Sequence, residues 1–423
     1  MIWVYRILVA VLLPLVIPML KIRDRLRGKR RPTFSGRFAR NLPDLPTDCL
    51  WLHAVSVGEV EIARRLARDL KAMGSAFPMM VTATTATGLD LARRTLSDAV
   101  SVIPCPLDLP GALGRVFDAA KPRALVVVET ELWPEMLHQA GRRGVPIAVV
   151  NARLSDSSFR SYRRVRLLLA PLLKPLSLVL ARSESDADRF AALGVPSDRI
   201  VTGGNIKYDL EPDPSPLPWI EVAQAAAGGR PIVVAGSTME GEEATVLDAV
   251  ARLGAEGRPV FLILAPRHPE RFEVVADLVT QRGLTMTRRS TDDPPTLETS
   301  VFLLDTIGEL ARAYKAASVA FIGGSLVMTG GHNPLEPAVW GVPVLSGPHV
   351  HNFVEVYDEM TAAGAANLVV DGDELVTALA RWLDDPEAAR TAGVAGRRVV
   401  ETNRGATALT VSALLDLAGG SPS

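Results

Sequence analysis

The feature that most constrains this chain is an alternation running through nearly its whole length: a short apolar run, a turn, then a stretch of helical periodicity. Residues 50–55, 79–83, 124–128, 146–150 and 176–181 are apolar runs, and segments such as 60–73 and 133–143 between them carry apolar residues at helical spacing. Runs apolar on both faces are those of parallel strands covered by helices above and below. The pattern stops at Glu211–Pro218, where Pro212, Pro214, Pro216 and Pro218 alternate with other residues and exclude both sheet and helix. It restarts at 231–235, 260–265, 301–304, 319–323 and 343–345. A chain of 423 residues is too long for one core. The expectation is an α/β protein of two similar doubly wound domains facing across a cleft. Residues 1–31 form an anchor and its flank, 32–210 the first domain, 211–218 the linker and 219–423 the second domain, whose last helix is a candidate to cross back.

The first residues depart from the alternation. Ile2 to Leu20 is apolar except for Arg6, Pro14 and Pro18, and is followed by Lys21, Arg23, Arg25, Arg27, Lys29, Arg30 and Arg31 against the single acid Asp24. A secretory signal carries its charge before the apolar run, so this order reads instead as a membrane-anchor helix, spanning or interfacial, with its basic flank on the cytoplasmic face. The net charge of −1 gives no basic excess for displacing counterions from a nucleic acid, so none is expected as a partner. The only two cysteines, Cys49 and Cys105, are far apart in sequence and outside any metal-type pair, as in a reduced, cytoplasmic setting.

Several familiar sites are missing. No G-x-G-x-x-G follows a strand. Gly236 and Gly241 have P-loop spacing, but Glu242 and Glu243 stand where Lys and Ser/Thr belong, and carboxylates there repel a triphosphate. The pairs Asp186/Asp188 and Asp371/Asp373 supply too few ligands for a metal, and none is expected.

The strongest local pattern is Phe321-Ile-Gly-Gly-Ser-Leu-Val-Met-Thr-Gly-Gly-His-Asn-Pro-Leu-Glu336. A strand runs into paired glycines and then into Asn333 and Pro334, residues suited to opening a helix. Glycines allow close approach to a ligand, and exposed N–H groups with a helix dipole favour a phosphate, with Glu336 placed for ribose hydroxyls. Arg267 and His268 end another strand of this half, and Asp305-Thr-Ile-Gly308-Glu309-Leu310 follows a third. In the first half, Ser56-Val-Gly-Glu59 is equally a capping box and a candidate base, echoed by Ser237-Thr-Met-Glu240 in the second. Glu129 and Glu131 end a strand, Lys207 lies just before the linker, and Arg153, Arg160 and Arg163 belong to a basic run, either a solvated face or a seat for an anionic acceptor.

These motifs together resemble the Kdo (3-deoxy-D-manno-octulosonic acid) transferases. The resemblance rests on His53-Ala-Val-Ser-Val-Gly-Glu59, Glu129-Thr-Glu-Leu-Trp-Pro134, Asn151-Ala-Arg-Leu-Ser155, Gly204-Asn-Ile-Lys-Tyr-Asp209, Ser237-Thr-x-x-Gly-Glu-Glu243, Pro266-Arg-His-Pro-Glu-Arg-Phe272, Asp305-Thr-x-Gly-Glu-Leu310, the glycine-rich segment and Gly347-Pro-His349. One departure is local: the family has Glu-Arg-aromatic-Gly after the anchor, and Ser35-Gly-Arg-Phe-Ala-Arg40 keeps only the Arg and the aromatic.

The resemblance implies a GT-B fold with an acceptor-binding first half and a donor-binding second half. It implies inverting, metal-independent transfer from CMP-Kdo to a hydroxyl of the lipid A precursor, at the inner membrane and without a cofactor. By motif, Glu59 matches the general base, and Glu129 and Lys207 the groups stabilising the transition state. Ser237, Arg267, His268, Gly308, Glu309, Leu310, Asn333, Pro334, Leu335 and Glu336 match the CMP site. The competing readings are a UDP-sugar GT-B enzyme and a membrane-anchored hydrolase with zinc on His332, Glu336, His349 and His351.

Overall fold

The computed structural model describes residues 2–26, 34–96, 100–291 and 293–419. The chain forms two compact units. One comprises the residues up to Asp209 together with those from Arg404 onward, and the other spans Leu210–Asn403.

The first unit is built on a parallel sheet of β1 (Leu50–His53), β2 (Met79–Ala83), β3 (Val100–Pro104), β4 (Ala124–Val128), β5 (Ile147–Ala152), β6 (Leu176–Ala181) and β7 (Ile200–Thr202). Their order across the sheet is β3-β2-β1-β4-β5-β6-β7. Successive residues of β1 face opposite sides: Leu50 and Leu52 join one core layer, Trp51 the other. Helix Val57–Ala72 covers the first side with Val60, Ala63, Leu66, Ala67 and Leu70, the spacing of one helical stripe. Helix Ala406–Leu417 lies on the same side through Val411, Leu414 and Leu415, so the last helix returns to the first unit. Cys49 and Cys105 are both buried and free.

The second sheet comprises β8 (Ile232–Thr238), β9 (Phe261–Pro266), β10 (Met286–Arg288), β11 (Val301–Leu303), β12 (Val319–Ile322), β13 (Val344–Ser346) and β14 (Ala366–Leu368). Its order is β10-β11-β9-β8-β12-β13-β14, parallel throughout. Pro218, read from sequence as the end of a linker, instead opens helix Pro218–Ala227. A first-turn proline lacks only an N–H that the helix leaves unpaired there anyway.

Ile2–Leu26 is one helix, and among the described residues no helix is long and apolar enough to cross a membrane. The basic flank from Arg27 to Arg31 lies outside the described residues. The helix is fastened to the first unit by polar groups: the Tyr5 hydroxyl donates to Asp108 at 2.6 Å, and Arg6 donates twice to Glu135, each at 2.8 Å. Trp3, Val4, Ile7, Leu8 and Val11 point outward, all more than half exposed. Asp108 also accepts the Glu135 and Met136 N–H groups, capping the helix that carries Glu135. Because the Glu135 side chain is fully buried, Arg6→Ala strands its charge. That variant should lose about 3 kcal/mol of unfolding free energy in urea titration; a loss within error would mean that the helix is not held there in solution.

Candidate active site

In an open parallel sheet the ligand crevice forms at the carboxyl ends of the strands, where the order reverses. In the first unit that point lies between β1 and β4, and Glu59 stands at it. Its Oε2 accepts the Val55 N–H at 2.7 Å and its Oε1 the Ser56 hydroxyl at 2.8 Å. Ser56 caps no helical N–H, and Glu59 reaches the Val55 N–H rather than that of Ser56, so the capping box does not form. Glu59 is 6% exposed. Burial pushes its carboxyl up to about 7 against those two hydrogen bonds, and the charges of Glu131 and Glu129 push the same way. The candidate base thus closes the turn ahead of its helix without capping it.

Glu129, at the tip of β4, has a left-handed backbone with φ 59°, an arrangement that costs a non-glycine residue about 1 kcal/mol or more. Its carboxylate lies 3.4 Å from Arg153 and 4.0 Å from Lys207. Lys207 sits on the short turn Ile206–Tyr208 after β7. That turn is pinned from two sides. Asn151 Oδ1 accepts the Ile206 N–H at 3.0 Å, and Arg65 donates to the carbonyls of Ile206 and Asp209, both at 2.7 Å. Glu131 accepts from the Trp133 indole N–H at 3.1 Å, and burial holds its carboxyl above the usual range. Arg153 thus joins the cluster. Arg160 and Arg163 lie elsewhere, exposed on helix Asp156–Arg164. His53 is fully buried with Nδ1 2.9 Å from Thr82 Oγ1, and burial, reinforced by the Arg37 charge, pushes it down to about 3, leaving a neutral structural ring.

In the second unit the order reverses between β8 and β12. The glycine-rich segment after β12 serves a different purpose from the one its sequence suggests. A Cβ on Gly323 would fall 2.5 Å from the Ser237 carbonyl oxygen, and one on Gly324 2.9 Å from the His332 ring, so these glycines admit the chain itself. The N–H groups of Gly324, Ser325 and Leu326, expected to hold a phosphate, donate to Glu242 at 2.6, 2.8 and 2.8 Å. Glu242 also accepts the Met239 N–H at 2.9 Å. Asn333 Oδ1 caps the Leu335 N–H at 3.1 Å, and the helix that Pro334 precedes, Leu335–Ala338, is a single turn, too short for the dipole expected of it.

The other residues singled out in this unit are placed as follows. Arg267 is exposed and His268 half-buried after β9, with the Arg267 N–H held by the Thr238 carbonyl at 2.9 Å. Burial first, and then the neighbouring Arg267 and His268, push His332 down to about 4. Glu336 is close enough to the buried Tyr314 hydroxyl to help raise its pKa, after burial itself, and Tyr314 packs against Gly236 at the tip of β8. Ser237 is left-handed at φ 56° on that tip. Gly308 is exposed beside half-buried Leu310, but the Glu309 carboxylate is committed to Trp219, Arg289 and Thr306. Glu240, the sequence echo of Glu59, is exposed; Glu242 holds the place at the reversal point, and Glu243 pairs with Arg271 at 3.1 Å. Among the described residues no three His, Cys, Asp or Glu side chains converge as a metal centre requires, so the zinc arrangement on His332, Glu336, His349 and His351 is not assembled.

A family profile described as 3-deoxy-D-manno-octulosonic-acid transferase matches residues 29–210. The chain is 37% identical over 397 residues to the 3-deoxy-D-manno-octulosonic acid transferase of Haemophilus influenzae, covering 93% of this chain and 91% of that one. It belongs to the Kdo transferase family. The corresponding enzyme of Bordetella pertussis is 34% identical over 98% of this chain and 99% of its own length. Among solved structures, UDP-GlcNAc 2-epimerase from Neisseria meningitidis aligns with a TM-score of 0.56 at 15% identity, over 87% of this chain and 99% of that one, a likeness of fold alone.

In this glycosyltransferase Asn151 and Glu242 have tasks that their motifs do not announce: one holds the turn of Lys207, and the other, placed where a P-loop has Lys, fills the amides of the glycine-rich segment. The signal for Asn151 was its place at the end of an apolar run, where left-handed residues gather. Its backbone is left-handed, φ 50°. Asn151→Ala removes the acceptor for Ile206 and keeps the strain, and should cost about 2 kcal/mol in urea unfolding; Asn151→Gly, free of the strain, should cost about half that. Equal losses would mean the left-handed backbone carries no cost here.

Proposed function

We propose that this Kdo transferase takes CMP-Kdo as donor and a hydroxyl of the lipid A precursor as acceptor, with Glu59 as the general base of a single, inverting displacement. The observation that carries the proposal is the placement of Glu59: a fixed carboxylate at the reversal point of its sheet, with a pKa of about 7. Glu59 takes the proton of the acceptor hydroxyl, whose oxygen forms a bond to the anomeric carbon of Kdo. The bond from that carbon to the CMP phosphate breaks, and the electron pair leaves on the phosphate. Lys207 and Glu129, paired at 4.0 Å, stabilise charge as the acceptor oxygen becomes nucleophilic. Arg267 and His268 receive the phosphate, the guanidinium opposing its charge and the imidazole hydrogen-bonding it, so a divalent metal is not required. Glu336, Asn333 and the chain around Gly308 hold the nucleoside.

The outward apolar row Trp3, Val4, Ile7, Leu8 and Val11 supports an interfacial helix rather than a span, lying in the inner membrane surface with both units on the cytoplasmic side. The basic residues that follow it in sequence would meet anionic headgroups, and the exposed Arg160 and Arg163 the phosphates of the acceptor.

Glu59→Gln keeps a hydrogen-bonding side chain but no base, and should lower turnover on the order of a hundredfold or more, with CMP affinity unchanged. Parental turnover in that variant would remove Glu59 from the mechanism. The base works only when ionised, so parental kcat should fall as the pH drops through about 7 and level off above it; a profile flat from pH 5 to 8 would contradict the assignment. Arg267→Ala should weaken CMP binding by roughly 1.5–3 kcal/mol in calorimetry. Deleting residues 1–31 also removes Tyr5 and Arg6 and so lowers stability; per folded molecule, activity on a soluble short-chain acceptor should persist and activity on acceptor in vesicles should fall, and equal activity on both would refute the membrane role.

A further inference from the structure

Three consecutive backbone N–H groups at the reversal point of a doubly wound sheet are an anion cradle. In nucleotide-binding sites of this kind such groups take a phosphate. Here the cradle made by Gly324, Ser325 and Leu326 holds a carboxylate of the same chain, at 2.6–2.8 Å. Glu242 is 1% exposed, and its remaining reach goes to the Met239 N–H. The group is built in: it sits at the first position of helix Glu242–Ala255, directly after β8, while the cradle follows β12, and these are the two strands that flank the reversal.

The adjacent Glu243 is also fully buried, and its partner Arg271 donates an N–H to the His268 carbonyl at 3.0 Å. Two neighbouring carboxylates therefore fasten both loops of the donor side, one by its amides and the other by its arginine. A diphosphate ligand brings a second phosphate that needs donors of its own. The amides suited to it are already filled, and the filling group is an acid whose ionised form repels another anion at this range.

We propose that Glu242 is a specificity-determining residue: by occupying the amide cradle with a carboxylate, it restricts the second unit to nucleotides bearing a single phosphate and excludes nucleoside diphosphates. The inference rests on the reading of this unit as the site for a nucleoside-monophosphate sugar. Discrimination arises from an occupied pocket, without any contact between Glu242 and the base or the sugar.

The test is calorimetry of CMP and CDP on the full-length protein and on Glu242→Gln, with thermal unfolding of each. The parent should bind CMP at least tenfold more tightly than CDP. In Glu242→Gln the charge is gone and the grip on the amides is weaker, so the CMP-to-CDP ratio should fall about tenfold, chiefly through a gain in CDP affinity. A purely structural role would weaken both ligands together and leave the ratio where it was. A parent that binds CDP as tightly as CMP overturns the inference without any variant, and so does an unchanged ratio in a folded Glu242→Gln. Should Glu242→Gln fail to fold, Glu242→Asp, which keeps the charge but shortens the reach, serves instead. A ratio lowered in that variant supports the inference and an unchanged one overturns it. A parent that binds neither ligand, with Arg267→Ala equally silent, would refute the donor reading itself and not this inference alone.

Discussion

A carboxyl group held by hydrogen-bond donors at the reversal point of a parallel sheet is the interaction on which both halves of this molecule depend. Glu59 does this in the first unit, on Val55 and the Ser56 hydroxyl, and Glu242 in the second, on Gly324, Ser325 and Leu326. The place is the same, but the consequences diverge. Glu242 has four N–H partners and is sealed away, a buried carboxyl group that organises loops. Glu59 has two donors, and two further carboxylates nearby press on its charge, so its ionisation is poised where a proton can be exchanged at neutral pH. One structural device thus supplies an ordered loop in one unit and a carboxyl that titrates near neutrality in the other.

Part of the backbone strain lies around the same points. Glu129, Asn151 and Ser237 are left-handed without being glycine, and each closes a central strand: β4, β5 and β8. Such conformations persist only where neighbours enforce them. Asn151 shows how: its side chain holds the turn that carries Lys207, while Arg65 grips that turn from the helix after β1. Asp209, at the end of the turn, also caps the returning helix through the N–H groups of Gly405 and Thr407. The C-terminal segment is therefore bound to the first unit through the same few residues that place Lys207.

How much of this could be read from the sequence follows from burial. Every central strand was legible, because a strand covered on both faces must be an apolar run. The strands that escaped were β3, β7, β10 and β14, the outermost strands of the two sheets, with burial too partial to impose such a run. Within the site, residue identities were legible through motif spacing, but their tasks were not. Paired glycines look alike whether they admit a ligand or, as at Gly323, the neighbouring strand end. An acidic pair after Gly241 looks like a failed phosphate loop until the amides it satisfies come from a segment more than eighty residues away. Pro218 illustrates the limit at domain boundaries, since its ring fits a linker and a helix start equally well.

The central claim is that Glu59 holds its proton to near neutrality while remaining hydrogen-bonded. The most direct measurement is the carboxyl C=O stretch in the infrared difference between the parent and Glu59→Gln, followed across pH. The account predicts a protonated-carboxyl band, present in the parent and absent from the variant, that disappears with a midpoint near pH 7. A band already lost by about pH 5, the range of an ordinary glutamate, would contradict it.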